Sequence, residues 1–167
     1  MKKVSLLLVL ALAVFALSAV LVYAEDAPAN EFVGDAKCKG CHKDIHAAWA
    51  ETSHAKAFTV LSAEEQKDAK CISCHITGTD AAGVVLEGVQ CEACHGAGSA
   101  YKSAKIMSKK KWEADPEGQK KLAIEAGLIY PTAEKCTTCH KQEGNPNFKE
   151  FDFEKSKGKV HTVATEG

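Results

Sequence analysis

Eight cysteines occur in this 167-residue chain, and all fall in four copies of one pattern: Cys38-Lys39-Gly40-Cys41-His42, Cys71–His75, Cys91–His95 and Cys136–His140. Cys-x-x-Cys-His is the attachment signature of c-type haem. Two thiols three residues apart form thioethers to the vinyl groups of the porphyrin. Cys38, Cys41, Cys71, Cys74, Cys91, Cys94, Cys136 and Cys139 are therefore expected to hold four haems. The His that follows turns under the ring and gives its imidazole to the iron, which assigns His42, His75, His95 and His140 as proximal ligands. Two other chemistries use paired cysteines. Sixteen residues separate Cys74 from Cys91, which fits a zinc ribbon. An even cysteine count in an exported chain also fits a disulfide framework. Neither needs a His after every second Cys, so haem is the reading that uses the whole pattern.

An iron held by one His has a sixth position, and what fills it separates a carrier from a catalyst. His46, His54 and His161 lie outside the motifs, and Met107 is the internal Met. His54 lies 12 residues beyond His42. That is about 18 Å along an unbroken helix, so it is expected to reach a different haem. His161, far from any motif, is the natural second distal ligand. Met107 follows His95 by 12 residues, and its thioether would raise the potential of the haem it caps. His46 sits on one helix face with His42. Packing against a haem edge is its first expectation, with ligation the alternative.

These elements must be delivered to the right compartment. Lys2 and Lys3 precede a run from Val4 to Val22 that is nearly all apolar, and Val22-Tyr23-Ala24 offers a small-residue cleavage site, so residues 1–24 read as a secretory signal peptide. The run is also long enough to span a bilayer, which makes a membrane anchor the alternative. Residues 25–31 read as a flexible tether and 32–167 as a single haem-bearing domain. Cleavage after Ala24 removes two Lys and no acid, leaving 19 Lys against 22 Asp and Glu, a net charge of −3. With no Arg and no basic excess, nucleic acid is not an expected partner. Four haems in so short a chain must supply most of the apolar core, so ligation is also folding free energy.

Between the motifs, residues 41–61 read as one helix without Gly or Pro. Ser62 with Glu65 forms a capping-box signature for a second helix toward Lys70. Residues 77–89 read as an irregular loop or marginal hairpin. Residues 99–111 read as a helix, and Asp115-Pro116 opens another that Gly127 stops. Thr132 is expected to cap the helix carrying Cys136 and His140, and the tail from Lys141 to wrap back as extended chain. The fold class expected is mainly α with long loops and little sheet. Unequal separations of the motif histidines argue against identical repeats.

Phe32-Val33-Gly34 before the first motif, Trp49, Ser53-His54-Ala55, and Gly88-Val89-Gln90-Cys91-Glu92-Ala93-Cys94-His95-Gly96 resemble the cytochrome c-554 family of tetrahaem c-type cytochromes. Pro146 and Phe151-Asp152 after the fourth motif extend that resemblance over nearly the whole mature chain. It implies a small multihaem fold with haems in stacked pairs. It also implies that His54 caps the third haem (His95), that His161 caps the fourth (His140), and that the second (His75) is five-coordinate. The family pattern has a His about ten residues after the third motif that caps the first haem. Here that stretch is Ser103-Ala104-Lys105-Ile106-Met107. Met107 is the preferred substitute, with Lys105, His46 of a neighbouring molecule, or an open iron as alternatives.

Together these features give an expectation: a periplasmic tetrahaem cytochrome passing single electrons between redox partner proteins by hopping along packed haems. Two alternatives stand beside it. One is an enzyme acting on a small nitrogen compound at the His75 haem; the other is a subunit of a haem filament. The Lys109–Lys111 run reads first as a solvated face and second as a steering patch for an acidic partner.

Overall fold

The computed structural model describes residues 30–161; the expected signal peptide, and all of the tether but residues 30 and 31, lie outside them. Short helices are α1 (Asp35–Lys39), α2 (Lys43–Ala50), α3 (Ala69–His75), α4 (Cys91–His95), α5 (Ala104–Met107), α6 (Lys109–Ala114), α7 (Pro116–Glu125), α8 (Ala133–Thr137) and α9 (Phe153–Ser156). Strands β1 (Ile76–Thr79) and β2 (Val85–Glu87) form one antiparallel hairpin. The mainly helical expectation is met, and the stretch at 77–89 resolves in favour of a hairpin. Asp80 closes its turn by accepting from the Ala82 and Val84 amides, both at 2.9 Å.

The helix expected over 41–61 ends at Ala50, and turns follow to Ser62. Thr52 Oγ1 donates to the Trp49 carbonyl at 2.6 Å and accepts from Ala55 N–H at 3.3 Å, so the hydroxyl competes with the helical ladder. Tertiary bonds complete the break. Val89 N–H donates to the His54 carbonyl at 2.9 Å. Trp49 Nε1–H donates to the Val89 carbonyl at 2.9 Å. The helix expected over 99–111 likewise divides at Ser108, whose extended backbone (φ −67°, ψ 123°) separates α5 from α6. Trp112 Nε1–H donates back across the break to the Ile106 carbonyl at 2.9 Å.

Other punctuation is where the residues put it. Ser62 and Glu65 form the reciprocal capping box, but it opens one 3-10 turn (Glu65–Lys67), and Asp68 starts α3 afresh by accepting from Lys70 N–H at 2.8 Å. Asp115 caps α7 through Gly118 N–H at 2.9 Å with Pro116 at the first position. Thr132 precedes α8 without a side-chain cap bond, and the helix stops at Thr137, before His140. The tail is not wholly extended: Asp152 caps α9 before a 3-10 turn over Lys157–Lys159.

Among the described residues, the buried apolar side chains are Trp49, Tyr101 and Ala123 alone. A domain of this length held by its own core buries many more. Cohesion must come from elsewhere, as the four attachment motifs require.

The turn at Gly88 joins the hairpin to the third motif. Its φ is +79°, and a Cβ there would lie 2.7 Å from the Ala55 carbonyl oxygen. Gly88→Ala is expected to destabilise the holoprotein by about 1–3 kcal/mol. Gly83→Ala shares the positive φ but meets nothing within 4 Å, so it should cost less. Thermal melts of the two variants check the difference, and equal melting temperatures would refute the close-approach argument.

Candidate functional site

Each motif occupies about one helical turn, and that is what makes its spacing work. Residues at i, i+3 and i+4 share a helix face, so both sulfurs and the His project to one side. The second motif lies within α3 and the third is α4 itself. The first and fourth leave their helices before the His, yet keep the turn: His42 N–H donates to the Cys38 carbonyl and His140 N–H to the Cys136 carbonyl, both at 3.0 Å.

The imidazoles are oriented from behind. His75 Nδ1 bonds the Ala57 carbonyl at 2.6 Å, and His95 Nδ1 bonds the Ile129 carbonyl at 3.0 Å. A carbonyl only accepts, so Nδ1 carries the proton and Nε2 keeps its lone pair, the tautomer a proximal ligand needs. Neither carbonyl is recognisable in the sequence as a site residue.

All eight thiols are free of disulfides. Cys38 donates to Cys91, which raises the Cys38 thiol and lowers that of Cys91. Cys139 is pushed up to about 11, first by burial and then by a bond with Cys74. Burial raises Cys94, and nearby Cys136 adds to it. These neighbours set a spatial order of motifs: first, third, fourth, second.

Histidine rings meet in two pairs. His54 lies 5.9 Å from His140, centroid to centroid, and His95 lies 6.3 Å from His161. Two metal–imidazole bonds of about 2 Å each, plus the depth of each ring, span about 6 Å. Both pairs therefore have room for one iron between them. The pairing is the reverse of that implied by resemblance: His54 faces the fourth motif and His161 the third. The cause is the break after Ala50. The 51–61 turns, fastened to Val89, aim His54 at the fourth motif instead of along a helix. Phe151 stacks on His140 at 4.6 Å and 18°, and α9 then carries the chain on until His161 meets His95.

Among the described residues no ring contact joins a second imidazole to His42 or His75. All seven histidines of the chain are among the described residues. His46 is committed elsewhere, its Nε2 bonding Asp35 Oδ2 at 2.6 Å. The two motifs without a facing His are thus the two ends of the spatial order. Met107 ends α5, which packs on α6 and α7.

Sequence reasoning gave no role to Gln90 and Glu92, which hold the first motif against the third. Gln90 Oε1 accepts from Asp35 N–H at 2.9 Å, and buried Glu92 accepts from Gly34 N–H at 2.8 Å. The available signal was a carboxylate inside an attachment motif, ambiguous without the contact.

The donor set, the tautomers, the ring spacing and the near absence of a protein core all fit four c-type haems, and they define a multihaem c-type cytochrome. Known proteins agree. The family model described as "Cytochrome c554 and c-prime" matches residues 37–96. Cytochrome c-554 of Nitrosomonas europaea is 31% identical over 162 residues, covering 81% of this chain and 68% of that one. The solved reduced state of cytochrome c554 from Nitrosomonas europaea shares the fold, with a TM-score of 0.61 and 24% identity over 81% of this chain and 85% of that one. The chain belongs to the cytochrome c-554 family, whose members carry covalently bound c-type haems; four attachment motifs accord with four haems. It is an electron carrier that serves redox partners.

Burial lowers His54 below the ordinary 6.5, with His140 adding to it. Burial likewise lowers His95 below 6.5, opposed by the Ile129 bond and reinforced by His161 and His42. Both stay neutral at pH 7, the form that can ligate. Protonation is disfavoured in the folded chain, so their contribution to stability is fully present above 6.5 and is lost as the pH falls through the lowered folded values. An absorbance titration of the holoprotein is expected to keep its low-spin bands down through pH 6.5, with high-spin bands growing only below it. A transition centred at or above 6.5 would contradict the burial-lowered imidazoles.

Proposed function

We propose that this chain is an exported, periplasmic carrier in which electrons cross the molecule along its four sites in the order first, third, fourth, second. The carrying observation is the two pairs of facing imidazoles, at 5.9 and 6.3 Å, in the two middle motifs. When bound, haem c supplies a one-electron Fe(III)/Fe(II) couple and a conjugated ring between which electrons hop. The chain does the rest. The eight cysteines fix each ring covalently, and the Ala57 and Ile129 carbonyls hold two proximal imidazoles in register. His54 and His161 serve as distal ligands opposite His140 and His95, and Met107 as that of the first site. Residues 1–24 act as the signal peptide, 25–31 as tether and 32–167 as the haem domain. Among the described residues no helix is long and apolar enough to cross a membrane. Partners dock briefly at exposed edges, through interfaces at the small end of the size range.

A second reading rests on His75, which faces no imidazole: an open iron there would bind a small nitrogen compound. EPR of the oxidised holoprotein, with haem counted by pyridine haemochrome, separates the two. High-spin signal from about one haem in four is expected, from the His75 site. His54→Ala should raise it to about two in four while leaving four haems attached, and Met107→Ala should do the same. A His54→Ala spectrum identical to wild type would remove the distal assignment. Wild type with every haem low-spin would remove the open-iron reading.

A further inference from the structure

Among the described residues, Glu92 is the one large side chain that is fully buried, at 1% exposure. Its Oε1 accepts from Gly98 N–H at 2.6 Å and Val33 N–H at 3.0 Å. Its Oε2 accepts from Gly34 N–H at 2.8 Å and Val33 N–H at 3.0 Å. Both oxygens act only as acceptors, the behaviour of a carboxylate. Among the described residues its ion-pair distance holds no Lys or His. Backbone dipoles alone balance the charge, and a buried charge so placed is costly. A purely structural clamp would not need that cost. Gln90, two residues earlier, ties Asp35 N–H at 2.9 Å and the Glu87 carbonyl at 3.1 Å with a neutral amide.

The charge also lies where it acts. Glu92 sits between Cys91 and Cys94, and its field is felt at the Cys38 and Cys91 thiols and at the buried Tyr101 hydroxyl. Those two sulfurs belong to the first and third sites. The corresponding motif position is Lys39 in the first site, exposed and so screened by solvent, and Ile72 and Thr137 in the second and fourth, both uncharged. We infer that Glu92 is a potential-setting residue, whose buried negative charge favours Fe(III) over Fe(II) at the first and third haems and makes that end of the molecule the lower-potential one. In a low-dielectric interior such a charge acts strongly on its neighbours and less on sites farther along the order. The protein thereby gains a direction: electrons enter at the first and third sites and leave at the second end.

Redox titration of the holoprotein, followed by EPR and visible absorbance, tests this. Glu92→Gln with four haems attached is expected to raise two of the four midpoints and leave the other two in place. Gln90→Glu, which adds a second buried negative charge beside the same motif, is expected to lower the same two. Gln90→Ala removes the neutral tie and is expected to reduce thermal stability without moving a midpoint as far as Glu92→Gln does. A wild-type titration curve for Glu92→Gln, an equal shift of all four midpoints, or a Gln90→Ala shift as large as that of Glu92→Gln would each overturn the inference. If Glu92→Gln fails to retain four haems, Gln90→Glu decides, and an unchanged titration there overturns it.

Discussion

Described residues that bury Trp49, Tyr101 and Ala123 and little else apolar cannot rest on a hydrophobic core. Its cohesion must come from bonds to groups that fill the interior, and four Cys-x-x-Cys-His motifs provide twelve such bonds. The rest of the structure follows from that constraint. The helices that carry motifs stay short, and a one-turn helix is enough to put two sulfurs and an imidazole on one side. The 76–87 hairpin and the many turns then serve as spacers whose lengths set how one motif meets the next.

Positioning is done largely by backbone. The carbonyls of Ala57 and Ile129 fix the tautomers of His75 and His95, and the carbonyls of His54 and Val89 stitch the 49–57 segment to the approach of the third motif. Side chains join this framework where two motifs must lie side by side. Gln90 and Glu92 bind the amides of residues 33–35 and so hold the first motif on the third. The third motif is thus the hub on which the first motif, the fourth motif and the tail converge.

The distribution of imidazoles gives the molecule a middle and two ends. Facing pairs occupy the third and fourth motifs, and the first and second motifs, whose histidines face no second imidazole, lie at the ends of the spatial order. His46 is absorbed by Asp35 and so sharpens that division. Carrier chemistry fits such an arrangement, because two facing imidazoles would hold an iron at each middle site.

The sequence by itself determined what is local. Cysteine and histidine at i, i+3 and i+4 define attachment and proximal ligation, Asp115-Pro116 and Ser62 with Glu65 mark chain punctuation, and four haem motifs in so short a chain leave little room for a conventional core. Each rests on interactions within a few residues, where spacing and geometry are nearly the same thing. The tertiary structure decided what is distant: that α2 ends at Ala50 under the pull of Val89, that His54 faces His140 and His161 faces His95, and that Glu92 is buried against residues 33, 34 and 98. A helical pattern cannot report a hydrogen bond made from 40 residues away, and a count of histidines cannot say which two will meet, because both depend on how the chain returns to itself.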